Sequence, residues 1–142
     1  MLTATDPVLV TPKYLIYEGI TIRKMPWFLW FAFNPKKRCA MVYNSQIYVS
    51  PKIFDFFRDR VQDYLSIALL QHEIVHLERK KQFSQLKRRW EYWSSAKFRL
   101  KEELLADEAT MRYLKEQKLS FPIEKRAKKL SSALYLRFAN KY

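Results

Sequence analysis

Glycine occurs once in this chain, at Gly19. A single glycine cannot build a phosphate-cradling loop or a dinucleotide-binding fingerprint, both of which need several at close spacing. Nucleotide-driven chemistry is therefore disfavoured. Cysteine also occurs once, at Cys39, which excludes an internal disulfide and any multi-cysteine zinc site. Carboxylates are scarce beside cations, with Asp+Glu 14 against Lys+Arg 27 and a formal net charge of +13. Long apolar runs are missing too. The most apolar stretch, Trp27 to Phe33, is far short of the roughly 20 residues a membrane-spanning helix needs. It reads as a buried strand, with interfacial membrane contact as the alternative. The amino-terminal residues MLTATDPVLVTPK have neither a basic start nor an apolar run, so no signal peptide is read there. A cytoplasmic protein without a transmembrane segment is expected.

What the chain does have is apolar mass. Hydrophobic residues make up 49% and aromatics 16% of 142 residues, which suits one domain with its own core. The surplus of cations suits a polyanion such as nucleic acid, an anionic membrane or an acidic protein. Six basic residues fall in Arg79 to Arg89 and four in Lys125 to Lys129. Solvated helix faces give the same pattern, and no Arg/Gly repeat, aromatic ribonucleoprotein motif or zinc finger sharpens it.

The chain divides into a β-leaning front and a helical back. Thr11-Pro12 opening a segment that closes at Gly19 fits a short helix, and a strand is the competing reading. Strands are expected at Ile20 to Arg23, Trp27 to Phe33, Arg38 to Tyr43 and Gln46 to Val49, the last two forming a hairpin. Ser50-Pro51 starts a helix, and Asp59 with Gln62 resembles a capping box for a second one running to about Lys81. Further helical patterns cover Leu86 to Trp93, Ala96 to Lys118 and a segment opened by Pro122. The fold class is α+β, in a single domain over residues 1–142.

Both histidines fall in one pentapeptide, His72-Glu73-Ile74-Val75-His76, inside the second predicted helix. Spacing i, i+4 puts the two imidazoles on one face, where both can reach one ion. Glu73, offset by one position, stands beside that ion and can carry protons for a reaction there. Chance is a poor explanation, since a shuffled chain of this composition contains the pattern roughly 0.002 times. Leu65, Ala68 and Leu69 share the histidine face, while Ile67, Leu70, Ile74 and Leu77 cover the other side. A helix apolar almost all round is buried, and a buried imidazole pair needs a partner.

A catalytic zinc takes three protein ligands and leaves a position for water. No third histidine exists. Cys39 is one option, though lone cysteines are mostly small core residues. The stretch Glu102-Glu103-Leu104-Leu105-Ala106-Asp107-Glu108 supplies four carboxylates that helical phasing separates. Glu108 falls on a solvent face with Lys97, Lys101, Arg112 and Lys115, and Glu102 faces Phe98, Ala109 and Tyr113. Glu103 and Asp107 share an apolar stripe with Leu100, Met111 and Leu114, where a carboxylate needs a cation. Glu103 is accordingly the expected third ligand. Asp107, one turn on, can accept the second N–H of a ligating imidazole. The competing reading pairs both carboxylates with buried Arg or Lys.

HEIVH followed by Glu103-Leu-Leu-Ala-Asp107 resembles the gluzincin pattern of zinc metallopeptidases, HExxH then ExxxD. With Gln46-Ile-Tyr-Val-Ser-Pro-Lys-Ile ahead of the motif, residues 38 to 115 resemble the single-domain minigluzincins and the related prenyl-protein and heat-shock membrane peptidases. Metallopeptidases that cleave phage-immunity repressors are a cousin resemblance. The likeness implies a small twisted, mostly antiparallel sheet packed on the HExxH helix, with an edge strand at Arg38 to Tyr43 binding extended substrate. It also implies zinc on His72, His76 and Glu103, Glu73 as base and Asp107 behind a ligand. Tyr113 and Arg112 are the candidates for stabilising an oxyanion.

The expected function is a zinc-dependent endopeptidase with one Zn2+ per chain and a protein or peptide substrate. Two competitors stand beside it: a latent or inactive peptidase fold used for binding, and a basic nucleic-acid-associated protein with a structural metal. The carboxyl end, Phe121 to Tyr142, reads as a helix with an apolar face of Ile123, Ala127, Leu130, Leu134 and Phe138. That helix either completes the core or occupies the substrate groove.

Overall fold

Two tight hairpins organise the front half of the chain. The structure, a computed structural model, describes residues 9–10, 13–31, 33–82 and 85–131. Strands β1 (Leu9–Val10), β2 (Tyr14–Tyr17), β3 (Ile20–Lys24), β4 (Ala40–Tyr43) and β5 (Gln46–Val49) form one sheet in the order β1-β2-β3-β5-β4. Glu18 and Gly19 join β2 to β3, and Asn44 and Ser45 join β4 to β5. All four have positive φ, the signature of two-residue turns whose twist matches the flanking strands. The lone glycine thus serves a hairpin and does not end a helix, so residues 14–17 correct the helix expected before Gly19. Tyr14 to Tyr17 alternates half-buried and buried positions, the period of a strand. Thr11 and Pro12, the expected helix start, lie outside the described residues.

Three of the four strand pairings are antiparallel, and β3 pairs β5 in parallel. The chain returns for that parallel pairing through β4, which residues 25–39 place at the far side of β5. This is where the structure departs most from the sequence expectation. Trp27–Leu29 forms a 3₁₀ turn, and Trp27 and Phe31 are 76% and 89% exposed. Pro26 caps that turn in an extended conformation, and no strand partner is available to the segment. The buried strand expected at Trp27 to Phe33 does not form over the described residues of that segment; Ala32 lies outside them.

The back half is helical: α1 (Pro51–Arg58), α2 (Tyr64–Gln82), α3 (Gln85–Ser94), α4 (Ala96–Glu116) and α5 (Ile123–Leu130). Pro51 starts α1 as expected, but the Ser50 hydroxyl does not cap it. That oxygen donates to the Lys37 carbonyl at 2.7 Å and accepts from the Cys39 N–H at 3.2 Å, fixing the approach to β4. Asp63, rather than the expected Asp59–Gln62 pair, caps α2: its carboxylate accepts from the Ser66 N–H and hydroxyl. Arg38 clamps the same carboxylate with two bonds. Ser95 caps α4 by accepting from the Phe98 N–H at 3.1 Å.

One buried cluster joins the two halves. Leu15, Ile22 and Ile47 of the sheet pack with Phe54 of α1, Leu70 of α2 and Leu114 of α4. The Thr110 hydroxyl of α4 bonds the Ala68 carbonyl of α2, and Lys80 of α2 reaches the Val42 carbonyl of β4 at 3.4 Å. Leu65 departs from the buried face expected of it, because it lies in the first turn of α2, and is exposed. Met111, at the far end of the Glu103 stripe, is also exposed. Among the described residues, no helix is long and apolar enough to cross a membrane.

Candidate metal centre

His72, Glu73 and His76 lie in the buried middle of α2, and α4 crosses to bring Glu103 and Asp107 against them. The i, i+4 spacing does what helical geometry dictates, leaving the two Nε2 atoms 3.1 Å apart. Glu103 meets both, with Oε2 3.3 Å from His72 Nε2 and Oε1 3.3 Å from His76 Nε2. These three side chains form a group that could hold a metal ion. Ligands at about 2.0–2.1 Å from a tetrahedral ion stand about 3.3 Å apart, so the N, N, O triangle has the edges of one face of such a site. A carboxylate among two imidazoles is also a donor set that zinc accepts.

The histidine orientation has a cause one turn further along α4. His72 Nδ1 lies 3.1 Å from Asp107 Oδ1. An N–H donated to that carboxylate leaves the lone pair on Nε2, pointing at His76 and Glu103. Burial alone would lower the His72 pKa, but the bonds to Asp107 and Glu103 outweigh it and raise it to about 9. Burial would push Glu103 and Asp107 upward. Hydrogen bonds from His72 and His76 hold Glu103 well below the usual carboxylate range, and those from His72 and a nearby arginine lower Asp107. Glu73 goes the other way: burial pushes its carboxyl up, against the pull of His76 and His72.

That nearby arginine is Arg126 of α5. Its Nε donates to Asp107 Oδ2 and its Nη2 to Glu103 Oε2, both at 2.6 Å. The pairing with buried arginine that competed with the metal reading is therefore present alongside the ligand geometry. Arg126 leaves Glu103 Oε1 to His76. It was missed because Lys125 to Lys129 reads as a solvated basic run. A signal existed, since Arg126 lies four residues before Leu130 and so shares the face that turns inward. Of the apolar face expected of this helix, Leu130 is buried, whereas Ile123 is 65% exposed and Ala127 is exposed as well. Leu134 and Phe138 lie outside the described residues.

A second ion pair was also missed. Arg79 grips the completely buried Glu102 with Nε at 2.7 and 2.8 Å from its two oxygens. Arg79 is seven residues after His72, on the same face of α2, which was the available clue. No protein-family model, curated protein or solved structure matches the chain. The remaining expected residues fall away from the group. Cys39 is half-buried and its backbone is tied to Ser50. Arg112 is largely exposed and paired with Glu108 at 3.3 Å, the solvent-face bridge expected of it. Tyr113 packs in the hydrophobic cluster, where burial pushes its phenol up to about 12.

Proposed function

We propose that this chain is a zinc-dependent endopeptidase of gluzincin type. The observation that carries the reading is the convergence of His72, His76 and Glu103 beside Glu73 on the same helix. Zinc held by those three residues would supply Lewis-acid activation of water and of a peptide carbonyl. Glu73 takes the proton of the attacking water and delivers it to the leaving amine nitrogen. Its burial suits that task, because a carboxyl raised toward neutral pH is a better base than an ordinary one. Among the described residues its carboxylate makes no hydrogen bond or ion pair of its own, so it can turn toward either atom.

Asp107 holds the ring of His72, and Arg126 holds Glu103 and Asp107 of α4 in register. Strand β4 lies at the sheet edge, and Lys80 ties it to the helix carrying the histidines. An extended peptide adding to that edge would run past the site with its carbonyls in order, the mode known as strand addition. The test is hydrolysis of casein or a quenched fluorogenic peptide by zinc-loaded protein, compared with Glu73→Gln. The amide keeps the shape and cannot take a proton, so activity drops roughly 10²–10⁴-fold with zinc retained. A parent that binds zinc and hydrolyses nothing would move the protein to the binding-fold reading.

A further inference from the structure

The connection between β3 and β4 carries aromatic side chains where a domain of this size normally hides them. Trp27, Phe28, Trp30 and Phe31 are all exposed, on one short 3₁₀ turn and the two residues after it. Contiguous exposed apolar surface of this kind marks an interaction site rather than ordinary surface scatter. Its surroundings are basic. From Gly19 to Phe54 the sequence has no Asp or Glu and six cations: Arg23, Lys24, Lys36, Lys37, Arg38 and Lys52. Among the described residues, Arg38 is the one of these six that pairs with a carboxylate, Asp63.

At the foot of the turn is an open depression of about 410 Å³, lined by Lys13, Arg23, Lys24, Trp27, Trp30 and Tyr48 among others. Arg23, one of the lining residues, has its Nε buried and without a hydrogen-bond acceptor among the described residues. A buried guanidinium N–H without an acceptor costs free energy that an anion would recover. Aromatics above a cationic hollow therefore ask for a partner that is apolar in one layer and anionic in the next.

We infer that the Trp27–Phe31 turn docks the protein onto an anionic lipid bilayer, its rings entering the headgroup–acyl boundary and its cations meeting lipid phosphates. Tryptophan and lysine are the residues such interfaces favour, and each cation near an anionic leaflet adds to the attraction. Trp30 Nε1 already donates to the Met25 carbonyl at 3.4 Å, so its ring can leave water without orphaning a donor. Phe28 and Phe31 have no polar atom to satisfy. Single-stranded nucleic acid is the rival polyanion, and the ring geometry disfavours it. Trp27 and Phe28 meet edge to face at 82°, which is no flat platform for successive bases.

The experiment is co-sedimentation of the full chain with phosphatidylcholine vesicles, with and without phosphatidylglycerol, beside the double variant Trp27→Ser/Phe31→Ser. Both side chains are exposed, so the variant keeps the parent melting temperature. The parent should bind the anionic vesicles about tenfold or more tightly than the neutral ones, with a blue shift of tryptophan emission. The folded double variant should lose about tenfold or more of that binding. An equally tight double variant would reduce the contact to bulk charge and overturn the proposal. It is also overturned if the parent ignores anionic vesicles, or if single-stranded RNA displaces it from them while the aromatic substitutions weaken the RNA complex.

Discussion

Arg126 lies 2.6 Å from Glu103, Nη2 to Oε2, and the same guanidinium reaches Asp107 at the same distance. A short helix that is mostly exposed thus delivers the cation that balances two buried carboxylates of α4. Breaking a buried pair from one side leaves charge without compensation, which costs more than the pair itself is worth. Arg126→Ala should therefore destabilise the metal-free protein by about 2–4 kcal/mol, discounted for the partial exposure of Arg126. With zinc bound, the ion compensates Glu103 and the cost falls. Arg126→Lys should recover only part of the loss, because an ammonium cannot fork across two carboxylates. Urea unfolding with chelator and with zinc measures each arm, and equal losses in both would show that Arg126 does not share its role with the metal.

The two halves of the candidate site were unequally legible. His72, Glu73 and His76 could be read from spacing alone, because helical phasing fixes i, i+4 neighbours whatever surrounds them. Glu103 and Asp107 followed from a physical oddity, acidic residues on an apolar stripe. Arg126 and Arg79 could not be read the same way. Each sits in a basic run, and only tertiary packing decides which member of a run turns inward. The fold shows a similar split. Asn44-Ser45 between two short strands predicted a hairpin that forms, whereas Gly19 was ambiguous between a helix end and a hairpin turn. Trp27 to Phe33 misled because hydrophobicity predicts burial only where a neighbour is available to bury against.

Metal content follows from the same triangle. The protein should take up one zinc per chain, and His72→Ala or His76→Ala should abolish binding at micromolar zinc. Glu103→Ala should retain a weakened site on the two histidines. Asp107→Asn should lower affinity by about 10–100-fold, the usual effect of disturbing the partner of a ligating imidazole. Elemental analysis after gel filtration, with competition against a chromophoric chelator, reads all four. A parent with no metal as purified and none after zinc addition would remove the metal centre altogether.

Arg79 and Glu102 join α2 to α4 on the histidine face, and Glu102 is 0% exposed. Arg79→Ala removes the guanidinium that grips both oxygens of a buried carboxylate, at a cost of about 3–5 kcal/mol. Replacing both partners with apolar residues of similar volume, as in Arg79→Met/Glu102→Leu, should cost less than the two single losses together, because neither member of the pair is then left facing the other's absence. A double-mutant cycle by urea unfolding gives the coupling energy. Additive single-variant losses would mean that the pair contributes nothing as a pair.

The pH dependence of the metal-free protein has a definite sign. His72 has its pKa raised from 6.5 to about 9, because the bonds to Asp107 and Glu103 outweigh the opposing effect of burial. A group that binds its proton more tightly when folded stabilises the fold fully below its unfolded pKa, and that stabilisation is lost as pH climbs through the folded value. Chelated protein should therefore lose up to about 3 kcal/mol between about pH 6.5 and about pH 9. Zinc affinity should rise over the same window, since the ion must displace the Nε2 proton of His72 before it can bind. The two trends oppose each other, so the gap between the zinc-loaded and chelated melting temperatures should widen with pH. His72→Asn should flatten both. A chelated parent whose stability stays level from about pH 6.5 to about pH 9 would show that His72 is not held protonated by the α4 carboxylates.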